Sequence, residues 1–182
     1  MLQAGASDRK SAAHTPVVAT VTAEGAPSQR VMILREVDWD NRRLRFHTDV
    51  RSAKVGEADG AAASVLIYDP KAKIQLRIGG TCRVEQDGPI ADAAWQSSTL
   101  FARRCYMAEE SPGLVTDAPT SGLPPAIEGR QPSEADIAPA RANFAVLIVT
   151  YDCIEWLYLA NSGHRRARFT WEEGWQGNWL VP

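Results

Sequence analysis

The sequence predicts a mainly β fold, an antiparallel barrel with a few short helices, and three observations predict it. Apolar and polar residues alternate along many short runs, the period of a half-buried strand. Turn-forming residues such as Glu24-Gly25, Asp40-Asn41 and Ser162-Gly163 separate those runs. Helical patterns are few and brief, and no internal repeat or shift in composition divides the chain. At 182 residues the chain has the size of one ordinary domain, so 1–182 is expected to form a single domain with its own core.

The elements follow in order. Val17–Thr22 reads as a strand, and Glu24-Gly25-Ala26-Pro27 turns the chain into a second, Ser28–Val37. This second strand sets Val31, Ile33 and Arg35 on one face and Arg30, Met32 and Leu34 on the other. A hairpin loop at Asp38-Trp39-Asp40-Asn41 leads to Arg43–Thr48, with Leu44 and Phe46 inward and Arg43, Arg45 and His47 outward. Ser52 suits a helix N-cap, and a short helix runs from it to Ala58. Ala61–Tyr68 fits a buried strand closed by Asp69-Pro70. Lys73–Glu85 alternates as a long strand, and Gly79-Gly80 within it signals a bulge or a close approach by another group.

Pro89 suits the first turn of a helix that carries Ile90, Ala93 and Ala94 and continues through Trp95 to Met107. Ser111–Pro132 is rich in Pro, Gly, Ser and Thr and long for a loop, the profile of a lid or a poorly ordered segment. Ser133 and Asp136 have the spacing of a capping box. Phe144–Tyr151, Ile154–Leu159 and Arg165–Trp171 read as three more strands, and Trp175–Val181 as a final edge strand.

Composition narrows the function. A net charge of -2 argues against a nucleic-acid binder working by bulk electrostatics. No apolar stretch is long enough to span a bilayer, so no membrane partner is expected. Met1–Lys10 is small and polar, unlike a secretory signal, and a cytoplasmic location is expected. Cys82, Cys105 and Cys153 are too few and too scattered for a disulfide framework or a metal knuckle, and are expected to be small buried side chains. The histidines are His14, His47 and His164, and HExxH, GxSxG, P-loop and GxGxxG patterns are all missing. A protein without its own catalytic constellation leaves the chemistry to a cofactor.

The informative stretch runs from Arg30 to Lys54. Arg30 and Arg35 bracket an apolar strand, and Arg51-Ser52-Ala53-Lys54 lies at a strand-to-helix corner, where backbone amides favour an anion. Arg30 and Lys54 are the cations to neutralise a phosphate there, with Ser52 and Thr48 as hydroxyl donors. The same residues equally fit a capped helix with solvated cations. Trp156, Trp171, Trp175 and Trp179 read as core and interface packing rather than as cofactor contacts.

The series Arg30-Val31-Met32-Ile33-Leu34-Arg35, then Phe46-His47-Thr48-Asp49-Val50-Arg51-Ser52-Ala53-Lys54, then Ile74-Gln75-Leu76-Arg77-Ile78-Gly79-Gly80 resembles the pyridoxamine 5′-phosphate oxidase family of FMN-binding split barrels, in its oxidase-related branch. The likeness spans Val17 to Val84 and resumes from Ile154 to the C-terminus, through Arg168-Phe169 to Leu180-Val181-Pro182. It implies a Greek-key split β-barrel that dimerises with itself and holds FMN at the dimer interface. Arg30 and Lys54 would hold the flavin phosphate beside Ser52. The backbone of Val31, Met32, Ile33 and Leu34 would run along the ring, with Arg35 on the substrate side. His47 and Thr48 would touch the ribityl or ring region, and Gln75 and Arg168 would reach the flavin from the second subunit.

The sequence also departs from the family pattern. Ala53 stands where the family has a phosphate-facing arginine, leaving Arg51 as a replacement, and Leu157 where a late tryptophan is expected. The Arg-x-His pair of the vitamin B6 oxidases has no counterpart in His164-Arg165-Arg166-Ala167. The resemblance therefore implies an FMN-dependent oxidoreductase with a small-molecule electron donor or acceptor. A non-catalytic flavin-storage or sensing protein, and pyridoxamine 5′-phosphate oxidase itself, are the alternatives.

Overall fold

Nine strands form one sheet in the computed structural model, which describes residues 1–182. The strands are β1 (Val17–Val21), β2 (Pro27–Val31), β3 (Glu36–Asp38), β4 (Arg43–Asp49), β5 (Ala62–Asp69), β6 (Ile74–Glu85), β7 (Phe144–Tyr158), β8 (Arg165–Trp171) and β9 (Trp175–Leu180). The helices are α1 (Leu2–Ser7), α2 (Ala53–Ala58), α3 (Pro89–Ser97), α4 (Leu100–Arg103) and α5 (Glu134–Ile137). Neighbouring strands run β2-β1-β5-β6-β7-β4-β3, with β8 added to β7 and β9 to β8. The pairs β1–β2, β1–β5, β3–β4, β5–β6, β7–β8 and β8–β9 are antiparallel.

Local chemistry explains the joints. Between β5 and β6 the Asp69 carboxylate accepts from the amides of Lys71 and Ala72 at 2.9 and 3.0 Å, which curls the turn. In α5 the Ser133–Asp136 capping box forms as expected. The glycine signal in β6 resolves to a close approach: a Cβ on Gly80 would lie 2.1 Å from the Thr150 carbonyl oxygen of β7. Only a residue without a side chain fits there.

Three elements differ from expectation. The strand expected at Ser28–Val37 breaks after Val31 because its amides change partners. Met32 donates to Pro16 and Leu34 to His14, whereas Arg35 donates to Arg45 in β4. The strands expected at Phe144–Tyr151 and Ile154–Leu159 are one strand, β7, since Asp152-Cys153 supplies no turn. The helix expected to run from Pro89 to Met107 stops at Ser97. Ser98 is extended, and Thr99 caps α4 by accepting from the Ala102 amide.

The chain divides into two compact units. One comprises Met1–Phe46, Glu57–Arg83 and Leu147–Pro182, and the other His47–Gly56 and Val84–Val146. The first contains most of the sheet, and its core includes Val18, Leu34, Leu44, Phe46, Val65, Ile67 and Ile78, all buried. The second is centred on Phe144, whose ring meets Trp95, Tyr106 and His47 at centroid distances of 5.3, 5.0 and 4.9 Å.

Candidate functional site

In the first unit, Arg30 on β2 sits in a closed polar cluster. It donates to Glu57 at 2.8 Å, to Thr20 at 2.7 Å and to Ser28 at 2.6 Å. Thr20 also donates to Glu57 at 2.6 Å. The hydrogen bond from Thr20, and then those from Arg30 and Ser28, hold the Glu57 carboxyl below its usual value of 4.5 against the opposing effect of burial. A carboxyl depressed on folding adds stability that is complete above its unfolded pKa and lost as pH falls through the lower folded value. Melting temperature is therefore expected to fall as pH drops below 4.5, and Glu57→Gln to flatten that dependence. An unchanged slope in the variant would assign the acid loss to other carboxylates.

Beyond Arg30 the chain alternates as the sequence implied. Met32 and Leu34 are buried, while Val31 is 64% exposed and Ile33 is also exposed. Arg35, on the same face as those two, makes no side-chain hydrogen bond or ion pair, and its buried Nε lacks an acceptor. Gln75 is half-buried on β6, opposite Tyr68.

Arg168 belongs to a cluster that sequence reasoning missed. It donates twice to Glu155 Oε1, at 3.0 and 2.6 Å, while Arg166 and Arg77 donate to Oε2 at 2.7 and 3.5 Å. Arg166 and then Arg168 hold the Glu155 carboxyl below the ordinary range despite burial. The readable signal was the period-two spacing of Arg166 and Arg168 beside a lone Glu155 between Ile154 and Trp156.

In the second unit, the end of β4 and the start of α2 gather His47, Thr48, Arg51, Ser52 and Lys54. Lys54 Nζ donates to Ser52 Oγ at 2.6 Å and to Thr48 Oγ1 at 3.3 Å. Both hydroxyl residues are buried. Asp49 holds Arg51 in a two-pronged ion pair of 3.0 and 2.7 Å, so Arg51 is engaged within its own turn. His47 packs edge-on against Phe144. An ammonium flanked by two hydroxyls is a donor set that suits a phosphate.

None of the four tryptophans expected to pack in the core or an interface is fully buried. Trp179 is 75% exposed, and Trp175 and Phe169 are also exposed. With Trp39, Ile154 and Trp156 they line an apolar groove of about 650 Å³ in the first unit. Cys82 is buried, and that burial pushes its thiol up to about 12, whereas Cys105 is exposed rather than buried as expected. No helix is long and apolar enough to cross a membrane.

Comparison with known proteins bears on these arrangements. Residues 1–86 match the family model described as pyridoxamine 5′-phosphate oxidase, FMN-binding domain. A pyridoxine/pyridoxamine 5′-phosphate oxidase from Roseobacter denitrificans is 32% identical over 124 residues, covering 59% of this chain and 60% of that one. A protein of the same name from Bordetella petrii is 28% identical over 182 residues, covering 96% of this chain and 82% of its own. The chain thus spans less than two thirds of the Roseobacter relative. Among solved structures, a pyridoxamine 5′-phosphate oxidase-related, FMN-binding protein from Nostoc punctiforme superposes with a TM-score of 0.76 at 23% identity, over 98% of this chain and 92% of that one. PhzG from Burkholderia lata, solved with tetrahydrophenazine-1-carboxylic acid, superposes with a TM-score of 0.72 at 22% identity, over 94% and 84%. These two likenesses establish the split-barrel fold. Motif order, the match of residues 1–86 and the fold agree: the N-terminal half of the chain is similar to the FMN-binding domain of the pyridoxamine 5′-phosphate oxidases, and the chain shares the split-barrel fold.

Proposed function

We propose that the protein is an FMN-dependent oxidoreductase, one flavin-binding domain that works as a homodimer in the cytoplasm. The observation that carries this reading is Lys54, held between the hydroxyls of Ser52 and Thr48, in a chain whose matched domain is FMN-binding. These groups fit a flavin phosphate: one fixed positive charge and two adjacent hydroxyl donors. When bound, FMN supplies electron and hydride transfer between a small-molecule donor and acceptor.

The remaining work falls to the chain. Lys54 neutralises phosphate charge, and Asp49 fixes Arg51 so that the turn keeps its shape. Val31 and Ile33 offer exposed apolar surface on which a planar ring can rest. Arg35, with no acceptor of its own, offers its charge to negative charge on the ring or the substrate. Met32, Leu34, His47, Gln75 and Arg168 keep the roles that the resemblance implies for them, whereas Arg30, which the resemblance gives to the flavin phosphate, has its charge paired with Glu57 here. The uncovered aromatic groove on β7, β8 and β9 supports a second copy of the chain, because exposed apolar patches of this kind mark interfaces.

The visible spectrum of the purified protein, recorded after addition of FMN and desalting, tests the reading. Retained flavin bands are expected. A colourless protein that cannot keep FMN overturns it, and the bands of a haem or a deazaflavin would replace the cofactor. The names of the relatives favour a second reading, oxidation of pyridoxine or pyridoxamine 5′-phosphate. Oxygen-dependent formation of pyridoxal phosphate by the loaded protein would select it over the broader one.

A further inference from the structure

We infer that Glu57 is a built-in competitor at a phosphate site of the first unit, its carboxylate filling the place among Thr20, Ser28 and Arg30 where a phosphate group binds. As a control on flavin affinity this rests on the flavin reading; as a masked phosphate site it does not.

The first argument is convergence. Thr20 donates to Glu57 Oε2 at 2.6 Å, Arg30 Nη2 to the same oxygen at 2.8 Å, and Ser28 to Oε1 at 3.4 Å. A guanidinium with two hydroxyls is a donor set that serves a phosphate as well as a carboxylate. The phosphate offers it more, a charge of about −1.5 to −2 and three acceptor oxygens, against the single charge and two oxygens of Glu57. The second argument is preorganisation. Thr20 on β1 lies directly opposite Ser28 on β2, and Arg30 follows two residues on, so the ladder sets all three donors on one face. Glu57 comes from outside the sheet, on the six-residue helix α2. The donors therefore keep their places when the carboxylate swings away, and a phosphate meets them already ordered.

The third argument is hydrogen-bond capacity. Arg30 also gives Nη1 to the Val18 carbonyl at 3.4 Å and to Thr20 Oγ1 at 2.7 Å, and Nη2 to Ser28 Oγ at 2.6 Å. Both Nη groups are thus fully engaged, and Glu57 is the one anion among their acceptors. A phosphate gains the face of the guanidinium by replacing that anion. The side chains of Arg30 and Glu57 are 19% and 15% exposed, so an anion reaches the pair from solvent. Without Glu57 the unloaded unit would hold an uncompensated, largely buried cation, which is destabilising. The carboxylate that protects the empty site also lowers its apparent affinity, in proportion to the time it fills the site.

The test compares wild type, Glu57→Gln and the double variant Arg30→Gln/Glu57→Gln. FMN and riboflavin, which lacks the phosphate, are titrated by fluorescence, and inorganic phosphate by calorimetry at constant ionic strength. Glu57→Gln is expected to bind FMN and inorganic phosphate about tenfold more tightly, the factor for a competitor that fills the site about nine-tenths of the time. Riboflavin should bind both proteins equally, and the gain should vanish when Arg30 is also replaced. Glu24→Gln is the control for charge alone, since it removes an equal charge that acts on Glu57 from the same unit, and it should bring no gain. If Glu57→Gln does not fold, Glu57→Asp decides: it keeps the charge but draws the carboxylate back from Arg30, and a smaller gain of the same sign is expected. Equal or weaker phosphate binding by the Glu57 variant, an equal gain with riboflavin or in Glu24→Gln, or a gain that survives loss of Arg30 overturns the proposal. FMN retained with affinity unchanged by Glu57→Gln refutes the competitor alone. Tighter inorganic phosphate in Glu57→Gln, with FMN retained by neither protein, refutes the flavin reading alone.

Discussion

Lys54→Ala is expected to weaken FMN binding by about ten- to a hundredfold while leaving the fold intact. In the proposed site the ammonium would contribute one charge-assisted hydrogen bond to the phosphate, worth about 1.5–3 kcal/mol, which sets that range. Among the partners that Lys54 leaves are two hydroxyls, Ser52 Oγ and Thr48 Oγ1, which can turn to new partners. Little stability should therefore be lost. Arg51→Ala is the informative contrast. Its charge is already engaged by Asp49, so its removal should disturb the turn more than it weakens the flavin. Quenching of FMN fluorescence on titration gives both affinities, and circular dichroism reports the fold. Undiminished affinity in Lys54→Ala would remove the phosphate assignment.

Gly80→Ala is expected to cost about 3 kcal/mol or more in stability, at the top of the range for overpacking. The added Cβ would meet the Thr150 oxygen at 2.1 Å and the Tyr151 Cα at 2.6 Å. Both are backbone atoms of β7, a strand hydrogen-bonded within the sheet, so neither can step aside as a flexible side chain would. Gly79→Ala is the control. There the nearest atom is the Cys153 Cβ at 3.9 Å, an ordinary contact, and a change of less than about 1 kcal/mol is expected. Denaturant midpoints of the two variants settle the point. Equal losses would mean that strand propensity, not the close approach, explains the glycine.

Much of this fold was legible because strand patterning is local. The alternation of Leu44 and Phe46 with Arg43, Arg45 and His47 identified β4 and its buried face without knowledge of any neighbour. The Ser133–Asp136 capping box and the turn at Asp69 are likewise contacts within a few residues. The break after Val31 was not legible. It arises because Met32 and Leu34 bond residues before β1 while Arg35 bonds β4, and no run of sequence announces a change of partner. The stop after Ser97 was missed for a related reason. Thr99 is an N-cap only because the chain there leaves the helix, and Ala93 to Met107 reads as continuous helix on propensity alone.

The site divides along the same line. Residue order by itself carried the family resemblance, the cofactor class and the proposed residues from Arg30 to Lys54, because a binding corner is built from side chains close together in the chain. Tertiary structure decided which cations are engaged. Arg30 is closed in by Glu57, Arg51 by Asp49, and Arg35 has no partner, although all three look alike in the sequence. It also completed the Glu155 cluster, which joins the β7–β8 hairpin to Arg77 of β6, 78 residues away in the chain. The physical reason is that strand periodicity is set by neighbouring residues, whereas the partner of a charge is set by which strands lie side by side.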